Sequence, residues 1–343
     1  MAHLEKKDMK QAIRSGLIGF AIGDALGVPI EFLNRNFLEL MPVSEMLSVG
    51  THHQPAGTWS DDTSMTICLM QSLIDQKCFH YHDIMENFVK WYLQDEFTAT
   101  KLTFDIGSTC KRAIENYLAG GHPVKCGMSH YANNGNGSLM RILPVAFVCH
   151  NNQITGEKRY ELVKNISSLT HAHPISVLGC LIYTNFVCHL LGGDNPKEAY
   201  RKTQLDDYSM FEKEEITLYS RILKNQIYCY PKGYIPSRAY VVDTLEAVLW
   251  SFLTTDNFQD AVLTAVNLGD DTDTVGAVTG SLAGIQYGLK SIPEKWATTL
   301  KRGRYLIKLC DQFTETEIDT TDISPESTSI PHVETTNLNR LGA

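Results

Sequence analysis

Apolar residues recur at three- and four-residue spacing through almost all of this 343-residue chain, and that period limits the fold more than any other feature. It runs through "QAIRSGLIGFAIGDALG", "TSMTICLMQSLI", "YHDIMENFVKWYL", "HPISVLGCLIYTNFVCHLL", "VVDTLEAVLWSFLTT" and "TDTVGAVTGSLAGIQYGL". Strand-like alternation is scarce, and the connections ("NGNGS", "THAHP", "NLGDD", "SIPEK") are polar and rich in Gly and Pro. The pattern predicts an all-α chain of about a dozen helices with no linker to divide it.

Two stretches, Leu17 to Leu26 and Val275 to Leu289, are apolar almost all round and rich in Gly and Ala. Helices of that kind belong at the centre of a bundle, where small residues allow close approach. From Thr314 the chain turns Thr/Ser/Glu-rich and loses its large apolar groups. The expected organisation is one domain over 10–312 and a flexible tail, 313–343, that carries no chemistry.

The net charge of −9 argues against general nucleic-acid binding or an acidic membrane surface as partner. Nine scattered Cys without a C-x-x-C pair fit a reducing cytosol better than a disulfide framework or a structural zinc site. The opening "MAHLEKKDMKQAIRSG" has no apolar core behind its basic residues, so no secretory signal is expected. No uninterrupted apolar run approaches the roughly 20 residues that span a bilayer. A cytoplasmic protein with no membrane partner is the expectation.

The chemistry concentrates at two loop-to-helix junctions, "GDDTDTVGAVTG" and "GTWSDDTSMT". Asp and Thr at such places cap a helix and complement its dipole, and for either cluster alone capping is a sufficient account. Two alike in one chain bring together more carboxylates than capping needs. Hard oxygen ligands of this kind select Mg²⁺, Mn²⁺ or Ca²⁺. If the clusters meet, Ser60, Asp61, Asp62, Asp271, Asp273 and Thr274 could hold two ions. Asp271, Asp273 and Thr274 converge only if the helix begins near Asp273 with Asp271 still in the loop. A calcium-loop reading of "DDTDTVGAVTGSL" fails, because Val275 and Leu282 fall where ligands are required.

In their order, "GLIGFAIGDALGVPIEF", "GTWSDDTSM", "FDIGST", "GNGSLMRILP", "THAHP", "YVVDTLEAVLWSF" and "LGDDTDTVGAVTGSLAG" resemble the ADP-ribosylglycohydrolase family, from about Gly16 to Gly288. The resemblance implies an all-α fold, a single compact orthogonal helical bundle with a binuclear metal cleft at its centre. It also implies cleavage of the bond between C1″ of ADP-ribose and an acceptor by two-metal activation of water, with two Mg²⁺ or Mn²⁺ as cofactors. Ser60, Asp61 and Asp62 match one ligand set, and Asp271, Asp273 and Thr274 match the other. Ser60 stands where many relatives have Thr. Asp62 is the expected base, Asp61 its neighbour, Glu31 an acid that gates the metals, and Asp105 an acid near the scissile ribose. Read alone, Asp105 would be the cap of a helix beginning at Ile106.

"GNGSLMR" resembles a phosphate or ribose cradle in which Gly135 and Gly137 allow close approach, and Ser138 and Leu139 start a helix whose N–H groups face an anion. A tight turn into a core helix, with Arg141 paired to an Asp, is the alternative. His171 is expected as a polar contact to the ligand or as a structural histidine. Tyr240 matches an aromatic that stacks on adenine, although a core tyrosine would look the same.

The implied substrate is an ADP-ribosylated protein and the product ADP-ribose; a monomer is the default expectation, which no sequence feature sets. "DIGST" and "YVVDTLEAVLW" resemble the arginine-directed bacterial branch. Serine-linked ADP-ribose, O-acetyl-ADP-ribose, a modified nucleic-acid base, or a non-catalytic binding or structural role are the alternatives. Acceptor choice is expected to lie in loops such as 34–55.

Overall fold

The computed structural model describes residues 6–325, and every regular element among them is helical. The order opens with α1 (Lys6–Gly27), α2 (Arg35–Leu40), α3 (Asp61–Gln76), α4 (Tyr81–Gln94) and α5 (Ser108–Leu118). It continues with α6 (Leu143–Asn151), α7 (Gly156–Ser168), α8 (Pro174–Leu191), α9 (Pro196–Leu205), α10 (Lys213–Leu218) and α11 (Ser220–Leu223). It closes with α12 (Val241–Leu253), α13 (Phe258–Val266), α14 (Thr272–Tyr287), α15 (Glu294–Thr299) and α16 (Gly303–Glu315). Four are of six residues or fewer, so the dozen read from periodicity are the longer ones. β-Structure among the described residues is confined to isolated bridges.

Local chemistry sets the helix starts. Asn34, Ser60, His80, His173, Asn195 and Asn257 each accept a main-chain N–H of the first turn with their side chains. Pro174 and Pro196 occupy first helical positions, where an N–H would have no partner inside the helix.

α1 and α14 form the axis. A Cβ on Gly23 would stand 2.0 Å from the Gly276 carbonyl oxygen, and one on Gly280 would stand 2.1 Å from that of Gly19. Gly284 meets the Ser15 carbonyl in the same way, and Gly27 meets the backbone of Asp273. Backbone therefore packs on backbone, and the pairing order makes the two helices antiparallel. The consequence for function is positional: the C-terminal end of α1 lies against the N-terminal end of α14. Both helices are sheathed by buried apolar side chains, as expected of helices at the centre of a bundle.

The segments Asp8–Ile30 and Pro174–Leu191 do have the length and apolarity of membrane spans, contrary to the count of uninterrupted apolar runs. Those windows are 94% and 89% buried within the protein, so their apolar surface is already covered. All nine cysteines are free thiols.

The expected boundary at 313 falls inside α16, which continues to Glu315 with Phe313 in the core. Beyond it, Asp319 N donates to the Lys77 carbonyl, and the Ile323 carbonyl accepts from Tyr81 Oη at 2.8 Å and from Asn165 Nδ2 at 3.2 Å. The first part of the polar stretch is thus docked on α4 and α7. The remainder of the expected tail, 326–343, lies outside the described residues.

Candidate active site

Both acidic junctions lie beside the C-terminal end of α1. Asp24, fully buried on α1, accepts from Ser60 N at 2.8 Å and from Thr63 N and Oγ1 at 3.1 and 2.6 Å. One carboxylate therefore caps the first turn of α3 from another helix. Ser60 Oγ accepts from Asp62 N at 3.3 Å, so Ser60 also caps its own helix.

On the other side, α14 begins at Thr272 with Asp271 as its cap residue, one position before the start that convergence requires. Asp271 makes no capping bond with its side chain, and Asp273 accepts from its neighbour Thr274 N at 2.9 Å. Capping therefore leaves these carboxylates free for other work. The two clusters touch directly, Thr274 Oγ1 donating to Asp62 Oδ1 at 3.3 Å.

Carboxylate oxygens of Asp24, Asp62 and Asp273 lie within 4.8 Å of one another, and so do those of Glu31, Asp271 and Asp273. Glu31, Asp105 and His52 form a third such group toward the surface. Asp62 Oδ2 is buried without a partner. Among the described residues none of these acids is paired with Lys or Arg, and the one ion-pair partner is His52, whose Nε2 bonds to Glu31. An orphaned carboxylate oxygen among converging buried acids fits a metal site with all-oxygen donors.

The electrostatics follow from that crowding. Burial first, then neighbouring carboxylates, push Asp61, Asp62 and Asp273 well above the usual carboxylate range. Burial raises Asp24 to about 7 despite the donors from Ser60 and Thr63. Burial, Asp105 and Asp271 together raise Glu31 to about 10. Asp61 and Asp62 point apart: Asp61 accepts from Gly107 N and faces Asp105, whereas Asp62 faces Asp24 and Thr274.

Asp105 does not cap α5. That helix starts at Ser108, after Gly107, and makes no side-chain capping bond. Asp105 sits instead in a left-handed conformation, φ 52°, beside Glu31.

The turn from Asn134 to Leu139 departs from the expected helix start. Ser138 begins a single 3-10 turn (Leu139–Arg141), and α6 follows it. Both side chains face inward, Ser138 Oγ accepting from Ser167 Oγ at 2.9 Å and Leu139 lying in the core. Both residues are buried whole, main chain included, so neither offers a surface to a ligand. Gly137 is required by packing, since a Cβ there would stand 2.7 Å from His171 Cε1 and from Cys110 Sγ. Gly135 has room for one, its nearest neighbour being His171 Nε2 at 3.5 Å.

His171 is structural and lies against the glycine turn. Thr170 Oγ1 meets its Nδ1 at 2.8 Å, and burial, aided by the charge of Arg141, lowers its pKa to about 3, so the ring is neutral. Arg141 pairs with no Asp: it is fully buried and donates to the Gly137 and Ile166 carbonyls and to Thr170 Oγ1 at 2.9–3.0 Å. Tyr240 is partly exposed at the start of α12, opposite Gly135 in an isolated bridge and beside the hydroxyl of Tyr131. It is therefore no core tyrosine.

Three contributors escaped the sequence reading. Asp24 stands inside a quoted motif, and its signal was a lone acid in an apolar helix. Asn136 Nδ2 donates to Asp271 Oδ2 at 2.6 Å and to Thr244 Oγ1 at 2.9 Å, tying the glycine turn to the acids. His52 orients Glu31 from a loop that offers no periodic signal. A separate cavity of about 830 Å³, lined in part by Arg159, Asn185 and His189, contains none of these residues.

The chain belongs to the ADP-ribosylglycohydrolase family, whose sequence model matches residues 5–322. It is 33% identical over 308 residues to the ADP-ribosylarginine hydrolase Tri1 of Serratia proteamaculans, across 88% of this chain and 78% of that one. It is 32% identical over 287 residues to the ADP-ribosyl-(dinitrogen reductase) glycohydrolase of Rhodospirillum rubrum, across 82% and 88%. A solved ADP-ribosylglycohydrolase-related protein complex matches with a TM-score of 0.76 at 28% identity, covering 91% of this chain and 99% of that one.

Proposed function

We propose that this protein hydrolyses the glycosidic bond between C1″ of ADP-ribose and the guanidinium of an arginine on a modified protein. The single observation that carries the reading is the convergence of buried carboxylates without a Lys or Arg among them, one oxygen of Asp62 being left unpartnered. The arginine acceptor is supported by the names of the similar proteins.

Ser60, Asp61, Asp62, Asp271, Asp273 and Thr274 would hold two Mg²⁺ or Mn²⁺, with Glu31 at their edge. Bound there, the ions supply ribose-hydroxyl binding and Lewis-acid activation of water. Asp62 accepts the proton of the attacking water through its free oxygen, a base's role that needs only hydrogen-bond reach. Glu31, turned by His52, and Asp105 flank the sugar at C1″, where oxocarbenium character develops. Asn136 holds Asp271 in place. The turn at half-buried Gly135 forms the floor for the pyrophosphate and ribose, with Gly137, Ser138, Leu139 and neutral His171 packed beneath it, and Tyr240 offers adenine a face. The proposal includes a cytoplasmic monomer, in keeping with nine free thiols.

The test is release of ADP-ribose from an arginine-ADP-ribosylated protein with Mg²⁺. Release by the wild type and its loss in Asp62→Ala is the expected result. No release, with the two proteins equal, overturns the arginine reading, and parallel assays with serine-linked and O-acetyl substrates then identify the linkage.

A further inference from the structure

Phe32 is a large apolar residue that is 66% exposed and held at φ 66°, a region costly for any residue but glycine. Val49, β-branched, is held at φ 76° and is 57% exposed. Neither the exposure nor the strain serves the core. The segment is nevertheless firmly anchored. Phe32 N donates to the Asp270 carbonyl at 2.7 Å, and Asp270 N returns a bond to the Leu33 carbonyl at 2.9 Å. The Arg35 guanidinium donates to the carbonyls of Leu268, Lys232 and Ile235 at 2.8, 2.9 and 2.6 Å.

What this scaffold presents is an aromatic array. The His52 ring meets both Phe32, at 6.1 Å between centroids, and Phe104, at 5.3 Å, each tilted to it. The carboxylates of Glu31 and Asp105 stand directly beside it.

The array also sits at the correct end of the cleft. A run of contacts leads from the glycine turn through Asn136 to Asp271, then to Glu31, His52 and the two phenylalanines. With the pyrophosphate on the turn and the sugar carbon at the acids, the group bonded to that carbon meets the aromatic end.

We infer that Phe32, His52 and Phe104 form the acceptor subsite and select a planar cation, the arginine guanidinium, over a neutral acceptor. The inference rests on the function proposed above. A guanidinium stacks on aromatic faces while its edge N–H groups reach carboxylates, and this rim offers both at once. A hydroxyl or ester acceptor gains from neither.

Phe32 is exposed, so its substitution leaves the core intact. The experiment compares Phe32→Leu, which keeps bulk and loses the ring, with Phe32→Tyr, which keeps both. Phe32→Leu should raise KM for ADP-ribosylarginine roughly 3- to 30-fold, the range of a cation–π contact, while Phe32→Tyr stays near wild type. The affinity for ADP-ribose, measured by calorimetry, should be the same in all three proteins. A KM unchanged in Phe32→Leu, or ADP-ribose binding that weakens in parallel, overturns the subsite. Should the wild type release nothing from arginine, the proposed function fails on its own. The rim is then judged by NMR titration of the ADP-ribose-loaded protein with agmatine: binding by wild type that Phe32→Leu loses supports it, and equal shifts overturn it.

Discussion

Thr274 Oγ1 donates to Asp62 Oδ1 across 3.3 Å of space and 212 positions of sequence. The contact joins the first turns of α14 and α3, and helix α1 makes it possible from two sides. Its glycines bring α14 alongside, and its Asp24 holds the start of α3. The acids meet because two helix starts are tied to one rod.

If backbone packing between α1 and α14 sets that meeting, Gly23→Ala should be poorly tolerated. The added methyl would lie 2.0 Å from a backbone oxygen, which cannot turn aside as a side chain can. A loss of at least about 1–3 kcal/mol is expected from urea unfolding, the usual cost of overpacking. Gly233→Ala, with nothing within 4 Å, is the control. Equal midpoints for the two variants would refute the close-packed axis.

Asp24→Ala should strip Ser60 N and both donors of Thr63 of their acceptor in the interior. Unsatisfied buried donors cost about 1–3 kcal/mol each, set against the relief of removing one like charge. The Mg²⁺-loaded variant should therefore melt below wild type, with Asp24→Asn between them because it keeps one oxygen. Wild-type melting of Asp24→Ala would rule out the capping role.

The raised acids make stability of the metal-free protein depend on pH in a definite sense. Asp24 at about 7 and Glu31 at about 10 bind protons more tightly folded than unfolded, where the ordinary values are 3.8 and 4.5. Their contribution is complete below the unfolded values and is lost as pH rises through the folded ones. In EDTA the melting temperature should fall from about pH 5 to pH 9, and Mg²⁺ should raise it more at the higher pH. A flat profile in EDTA would contradict the burial of uncompensated acids.

Asn136 donates to Asp271, an acid that would hold metal, and to Thr244, which would not, so its loss should act on the metal through Asp271. Asn136→Ala should weaken Mn²⁺ binding about 10- to 100-fold in a calorimetric titration, the range for partners that orient ligands. Unchanged affinity would assign Asn136 to the glycine turn alone.

The site was legible where the signal was local. Ser60, Asp61, Asp62, Asp271, Asp273 and Thr274 stand at helix starts, and Asp271 precedes α14, which begins at Thr272, one position before Asp273. Readings that depended on where a side chain points did less well. Ser138 and Leu139 looked like the open start of a helix, yet both side chains turn into the core. Asp105 looked like a cap, yet its backbone is left-handed and its carboxylate faces Glu31. Arg141 looked like half of an ion pair, yet it spends its donors on carbonyls and a threonine.

Helical periodicity, capping residues and the glycine-rich stripes follow from neighbours a few positions apart, so the amino-acid order alone determined the all-α class and the two acidic helix starts. Which oxygens converge, that Asp24 and Asn136 join them, and that His52 and Phe32 border them were decided only by tertiary packing. The physical reason is register. The fit of Gly19, Gly23 and Gly27 against α14 sets how far one helix slides along the other, and no local pattern encodes that distance.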